Sequence, residues 1–163
     1  MSKPLTYVET TIPSFYHTTR SSAEAQARRS WTRQWWHTAT ERYSLVTSEA
    51  VFDELLDGDY PSKADAQALV RHLPILQVVP AIAEIVDAYF QHHLMPADPR
   101  GDALHLALAS YHRCDFLVTW NCQHLANANK YWHVRRVNGL LGLYVPLLVT
   151  PLELLGGTDE PTD

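Results

Sequence analysis

Cysteine is scarce in this chain, and long apolar runs are missing. The two cysteines, Cys114 and Cys122, are too few for a disulfide framework or for a zinc site built from thiolates. No apolar stretch approaches the roughly 18 residues that suggest a membrane-spanning helix. Residues 1–4 lead into a short strand-like run rather than the apolar core of a signal peptide. These features predict a cytoplasmic protein with reduced thiols and no membrane partner.

An excess of basic residues is also missing, because the formal net charge is −5. A protein that coats nucleic acid non-specifically needs a broad basic surface, so the charge argues against that class. The average hides a basic segment, residues 20–42, beside an acidic one, residues 49–65. Glycine is scarce as well: none of the six glycines forms the phosphate loop of a doubly wound nucleotide-binding protein.

The hydrophobic content of 46% is enough to build the core of one domain from 163 residues. Short β-prone runs alternate with helical patterns, which predicts parallel pairing and a three-layer α/β/α sandwich with a mostly parallel sheet. We expect one domain over residues 1–155 and a flexible tail over residues 156–163. The predicted strands cover residues 5–9, 43–47, 75–79, 116–119 and 145–149. The predicted helices begin near residues 23, 48, 62, 80, 102, 121 and 151, whereas residues 10–13 are expected to break the first strand.

Four acidic or amide residues lie where predicted strands meet predicted helices: Glu9, Glu54, Asp102 and Asn121. The carboxyl ends of parallel strands converge at one edge of a sheet, where ligands usually bind. Three carboxylates gathered there repel one another unless a cation neutralises them. Oxygen ligands of this kind suit Mg²⁺ or Mn²⁺, so the pattern predicts a metal site.

The local sequences around these residues also resemble a known family. They cover residues 7–14, 48–55, 102–109 and 115–121, and the third is the most specific. In this order and spacing, over nearly the whole chain, they resemble the PIN-domain ribonucleases. Within that family they are most similar to the VapC-like toxins of type II toxin–antitoxin pairs.

The resemblance implies an endoribonuclease that depends on Mg²⁺ or Mn²⁺, forms a homodimer and is neutralised by a cognate antitoxin protein. The acidic residues of the family's active site correspond, position by position, to Glu9, Glu54, Asp102 and Asn121 in this sequence. The first three are expected to hold the metal, and Asn121 to orient its outer shell. Two positions depart from the family's aspartates. Glu9 keeps the charge on a longer side chain, and Asn121 keeps an oxygen without the charge, so the departures predict one metal or a loosely held one.

These residues also have structural interpretations. Asp102 and Asn121 suit helix N-caps, which is compatible with a ligand role for Asp102. Asp53 competes with Glu54 on the same predicted helix, and the family spacing favours Glu54. His105 lies three residues after Asp102, a spacing that can build a metal site. A single histidine on an apolar helix is more typical of a hydrogen-bonded core residue, and we interpret His105 in that way.

The aromatic group at Trp31, Trp35 and Trp36 lies in the basic segment. Core packing with a partner interface is the favoured interpretation. Stacking against single-stranded RNA is the alternative.

Two functions follow from the sequence. The first is a metal-dependent endoribonuclease in which the ion lowers the pKa of a water that attacks the RNA phosphodiester. The alternative is a weak or inactive PIN-like module that binds RNA or protein, because Glu9 and Asn121 depart from the family pattern. Cleavage of RNA in the presence of Mn²⁺ distinguishes them.

Overall fold

The computed structural model describes residues 2–96 and 101–156. Its strands are β1 (Leu5–Val8), β2 (Ser44–Ser48), β3 (Ile75–Leu76), β4 (Phe116–Val118) and β5 (Leu147–Val149). They form one sheet in the order β3-β2-β1-β4-β5, and every pair is parallel. The predicted three-layer α/β/α sandwich is therefore confirmed.

Helices cover both faces of the sheet. Within the described residues the helices are α1 (Thr11–Tyr16), α2 (Ala23–Arg42), α3 (Glu49–Leu56), α4 (Lys63–Val70), α5 (Pro80–Gln91), α6 (Asp102–Tyr111), α7 (Ala128–Leu140) and α8 (Pro151–Leu155). Helix α2 packs against α1 and α8, α4 packs against α1 and α3, and α5 packs against α6. No helix in these ranges is long and apolar enough to cross a lipid bilayer.

Hydroxyl caps mark where several helices begin. The Ser22 side chain accepts from the Ala25 amide at the start of α2, and Ser48 accepts from Val51 at the start of α3. Such caps satisfy amides that have no partner inside the helix. Because Ser48 is also the last residue of β2, the cap places α3 directly at the carboxyl end of that strand.

The central strand β1 holds the core together. Tyr7 is fully buried and pairs in register with Val46 of β2 and Leu117 of β4. The Trp35 ring of α2 is also buried, at 1% exposure, whereas Trp31 and Trp36 are half-buried against the core. The core-packing interpretation of this aromatic group is confirmed, and its partner role stays a prediction.

A buried polar network joins α5, α6 and α7. The Tyr89 hydroxyl lies 2.6 Å from Asn138 Oδ1 and 3.3 Å from Ser110 Oγ, and the Asn138 amide donates to Ser110 Oγ at 2.9 Å. Burial raises the pKa of Tyr89 to about 12, so this hydroxyl keeps its proton. Each of the three helices contributes one member, which fixes their relative positions.

Three predicted elements differ in the structure. The expected helix from Asn121 is wrong, because α7 begins at Ala128 with Asn127 as its N-cap. The break expected at residues 10–13 contains the start of α1 instead, with Pro13 early in the helix, where a missing N–H is tolerated. The third strand is short, only Ile75–Leu76. The predicted flexible tail lies, from residue 157 onward, outside the described residues.

Candidate metal centre

The candidate centre lies where the strand order reverses. From β1 the chain continues to the neighbouring strand β2 on one side, whereas β4 lies on the other side. Glu9 follows β1 directly, and its amide donates to Val118 O at 3.2 Å. Such reversal points open a crevice at the carboxyl ends of the strands, so the fold places Glu9 in the crevice.

Glu9 is a buried carboxylate, only 3% exposed. Its Oε2 accepts from the Thr11 amide at 2.9 Å, the Thr11 hydroxyl at 2.5 Å and the Thr119 hydroxyl at 2.9 Å. Burial raises the pKa of Glu9, although the charge of His105 and these hydrogen bonds act in the opposite direction. Three donors on one oxygen fix the carboxylate and leave Oε1 for a ligand.

Glu54 and His105 form the second part of the centre. Glu54 Oε1, from α3, lies in hydrogen-bond contact with His105 Nε2, from α6. Burial lowers the pKa of His105, but the bond to Glu54 and the charges of Glu54, Glu9 and Asp102 outweigh it, so the pKa is raised. The pair is therefore an ion pair whenever the imidazole is protonated.

A chain of hydrogen bonds behind His105, called the relay below, sets the orientation of its imidazole. His105 Nδ1 lies 2.7 Å from the Tyr7 hydroxyl, which lies 2.7 Å from Ser48 Oγ. The relay is satisfied in either direction, because a hydroxyl both donates and accepts. Nε2 can thus carry a proton towards Glu54, or offer a lone pair while Nδ1–H donates to Tyr7. A second partner of this kind is typical of a histidine that ligates a metal.

The three side chains fit one cation. Glu9, Glu54 and His105 each offer a ligand atom, and these atoms lie within 4.8 Å of one another. An ion about 2.0–2.6 Å from each ligand spans such separations. The set holds two carboxylates and one imidazole, and imidazole favours transition-metal ions over Mg²⁺. The residues present therefore fit a divalent cation.

Asp102 lies beside this group rather than within it. It occupies the first position of α6, and Gly101 is the N-cap with a φ of 95°, so the expectation that Asp102 is the N-cap is wrong. The positive φ favours glycine at this position, and a Cβ there would lie 3.1 Å from Glu54 Oε1, close enough to crowd that side chain. The charge of Asp102 acts on His105 and on Lys130. Asp102 thus contributes negative charge at the rim of the centre.

Asn121 is engaged in a turn. Its Oδ1 accepts from the amides of Gln123 at 3.2 Å and His124 at 3.0 Å, and its amide donates to Thr119 Oγ1 at 3.0 Å. Its carbonyl also accepts from Leu125 and Ala126. These bonds close a single turn after β4 that does not continue as a helix. The Asn121 side chain shapes the loop beside Thr119.

Asp53, the alternative candidate to Glu54 on α3, is exposed. The prediction that His105 is a hydrogen-bonded residue of the core is confirmed by its full burial and its bonds to Tyr7 and Glu54. The support that Tyr7 and Thr11 give to the centre was not predicted. The spacing of residues along the chain gave a local indication for Tyr7 and for His105. Tyr7 and Glu9 are two residues apart at a strand end, and Asp102 and His105 are three apart on a helix, so each pair shares a face.

No protein-family model and no curated protein matches this chain.

Proposed function

We propose that this protein is a metal-dependent endoribonuclease of PIN-like organisation that acts as the toxin of a toxin–antitoxin pair. The observation that carries the proposal is the meeting of Glu9, Glu54 and His105 at the carboxyl edge of the sheet, with Asp102 at its rim. The elements that bring them together, β1, α3 and α6, contain motifs that resemble the PIN-domain family.

The residues that would hold the ion are Glu9, Glu54 and His105, with Asp102 and Asn121 outside them. Of the two ions that the sequence suggests, Mn²⁺ fits this set better than Mg²⁺ because of the imidazole. When bound, the ion lowers the pKa of a water and stabilises charge on the attacked phosphate. Asp102 is half-buried beside the cluster, where its carboxylate can accept the proton that the attacking water loses.

Protein groups position the reaction. Thr11 and Thr119 fix Glu9, and the chain Ser48–Tyr7–His105 fixes the imidazole. Neither a cysteine nor a serine nucleophile is required. We place the protein in the cytoplasm, with RNA as substrate, an antitoxin as inhibitor and a second copy as homodimer partner.

Two observations favour the alternative function, a non-cleaving RNA- or protein-binding module. The contact between Glu54 and His105 lets an imidazolium neutralise the carboxylates without any metal. Asn121, which lacks the family's charge, has its side-chain oxygen engaged by two amides. In this alternative the ion pair between buried His105 and half-buried Glu54 holds α3 against α6 and has no chemical role.

A cleavage assay distinguishes the two functions. Purified protein is incubated with a mixed RNA pool, with Mn²⁺ or with a chelator, beside Asp102→Ala and the exposed control Asp53→Ala. We expect cleavage only with metal, unchanged in Asp53→Ala and lowered about 100-fold or more in Asp102→Ala, as for removal of a catalytic carboxylate. Metal-dependent cleavage that survives Asp102→Ala would refute its assigned role. No cleavage by folded protein at any Mn²⁺ concentration would refute the nuclease and favour the binding module.

A further inference from the structure

Helix α7 carries positive charge that no nearby carboxylate in the sequence balances. The chain has no aspartate or glutamate between Asp115 and Glu153, whereas Lys130, Arg135 and Arg136 lie within that stretch. All three cations belong to α7, and none of them forms a salt bridge within the described residues. In a protein whose net charge is −5, cations clustered on one helix are typical of a surface that binds a polyanion.

The exposed side of α7 has an aromatic ring between two of these cations. Trp132 is 71% exposed, although tryptophan side chains usually bury most of their surface. Arg135 and Arg136 follow Trp132 by three and four residues and are exposed, so both flank the indole on the same side of the helix. The Arg135 guanidinium lies 5.3 Å from the centre of the ring. An open indole flanked by arginines suits a nucleic-acid base that stacks on the ring beside its own phosphates.

Lys130 connects this side of α7 with the metal centre. Lys130 and His133 are half-buried, and they line a cavity of about 580 Å³ together with His93 and His124. The titratable side chains of this lining are therefore all basic. Burial lowers the pKa of Lys130, whereas the charge of Asp102 raises it, so the ammonium group is partly desolvated and lies near the rim of the centre. A phosphate group beside Lys130 would supply the counter-charge that no salt bridge provides.

We propose that Lys130, Trp132, Arg135 and Arg136, called the α7 face below, bind single-stranded RNA and lead it towards the metal centre. Trp132 stacks on one base, Arg135 and Arg136 bind the phosphates on either side of it, and Lys130 binds a phosphate near Asp102. The choice of RNA over another polyanion rests on the proposed function. Stacking and phosphate contacts need neither metal nor cleavage, so RNA binding can be tested apart from RNA cutting.

The test is fluorescence anisotropy of a labelled oligouridine of about 12 nucleotides, titrated with the protein and a chelator at several salt concentrations. Polyphosphate, whose binding is measured by calorimetry, is the comparison ligand because it has no bases. The variants are Trp132→Ala, Lys130→Gln and Arg136→Gln. Leu140→Ala shortens a second exposed apolar side chain of α7, at 66% exposure, and controls for lost apolar surface. Arg71→Gln, at the exposed C-cap of α4, controls for the loss of one positive charge. Thermal melting verifies that each variant is folded.

We expect Trp132→Ala to bind the oligouridine about tenfold more weakly than the wild type, which is typical for the loss of one stacked base. Leu140→Ala should bind it as the wild type does, and Trp132→Ala should keep its affinity for polyphosphate. Lys130→Gln and Arg136→Gln should each reduce the slope of log affinity against log salt concentration by about 0.7, the value for one phosphate contact with a single strand. Arg71→Gln should leave that slope unchanged.

Three results would overturn the inference. They are no binding of oligouridine by the folded wild type, equal affinities in Trp132→Ala and Leu140→Ala, and equal salt slopes in Arg136→Gln and Arg71→Gln. The first would leave an acidic protein as the partner that fits the charge of the α7 face. None of the three refutes RNA cleavage at the metal centre, which the assay with Mn²⁺ measures separately. Conversely, RNA binding that behaves as expected in a protein that cuts no RNA would refute the nuclease and keep the α7 face as an RNA-binding surface.

Discussion

At the scale of the residue, two threonines set the orientation of the Glu9 carboxylate. Thr11 and Thr119 both donate to Glu9 Oε2, and Thr11 Oγ1 also accepts from the Trp120 amide at 2.8 Å. The start of α1 and the end of β4 are therefore tied together through one carboxylate oxygen. Partners of this kind orient a ligand and tune its affinity for a metal.

Replacing Thr119 by valine removes one donor to Glu9 without changing the shape of the side chain. We expect Thr119→Val to weaken Mn²⁺ binding about 10- to 100-fold, which is typical for the loss of a ligand's hydrogen-bond partner. Thr119→Ser, which keeps the hydroxyl, should restore most of the affinity. The exposed Thr40 provides the control, Thr40→Val. Equal affinities for Mn²⁺ in Thr119→Val and Thr40→Val, measured by Mn²⁺ titration, would show that Thr119 does not support metal binding.

The residue scale also shows what a sequence can reveal of the site. Glu9 and Glu54 were predicted from strand ends and spacing, and the structure brings both together with His105. The role of His105 depends on α3 and α6 meeting across the edge of the sheet. That meeting is a long-range contact, so no local pattern predicts it.

At the scale of the element, the site depends on α6 keeping its position. The network of Tyr89, Ser110 and Asn138 locks α6 between α5 and α7. His105 lies in α6, five residues before Ser110, and the same helix begins with Asp102. Any shift of α6 therefore moves both residues relative to Glu54.

Tyr89→Phe tests this network. The change removes a hydroxyl and leaves Asn138 Oδ1 without its donor, which should lower the free energy of unfolding by about 1–3 kcal/mol. The exposed Tyr111 of α6 gives the matched control, and Tyr111→Phe should change stability by less than about 0.5 kcal/mol. Urea denaturation measures both. The network would have no stabilising role if the two variants unfolded at the same urea concentration.

The elements were predictable where local chemistry determines them. Ser22, Ser48 and the capping box of Thr150 with Glu153 start helices at the expected places. Asn121 was mispredicted because an asparagine oxygen that accepts from the next amides forms either a helix cap or a turn. The hydrogen bonds from Leu125 and Ala126 to its carbonyl close the turn, and these depend on the loop that follows.

At the scale of the whole molecule, the folded chain concentrates negative charge in a buried place. Glu9 is buried, and Glu54 and Asp102 are close enough that their charges act on the same imidazole. Such charges are costly unless they are paired. In the metal-free protein a protonated His105 can neutralise part of this negative charge, and a bound cation can neutralise it instead. These two ways of neutralising the charge respond differently to pH.

The metal-free protein should lose stability as pH rises. The folded-state pKa of Glu9 is raised from 4.5, mainly by burial, and that of His105 is raised from 6.5, where Glu54 outweighs burial. In both cases the folded state binds more protons than the unfolded state, so the free energy of unfolding falls as pH rises above each unfolded value. The contribution of His105 is complete below its unfolded pKa and is lost as pH passes its folded pKa.

Thermal melts from about pH 5 to about pH 8 measure this effect. His17, whose pKa burial lowers, contributes a slope of the opposite sign, so the informative quantity is the difference between the wild type and Glu9→Gln. We expect the wild type to lose more stability than Glu9→Gln over this range. Stabilisation by Mn²⁺ should increase with pH, since protons compete for its ligands. Stabilisation that weakens as pH rises would rule out these residues as ligands.

Calorimetric titration of Mn²⁺ into the metal-free protein tests directly whether Glu9, Glu54 and His105 form a divalent-cation site. We expect about one ion to bind per chain. Affinity should fall about tenfold or more in both Glu9→Gln and Glu54→Gln, because each loses a ligand charge, and it should be unchanged in Asp53→Asn. A folded wild-type protein that binds no Mn²⁺, or equal Mn²⁺ affinities in all three variants, would show that these residues form no such site.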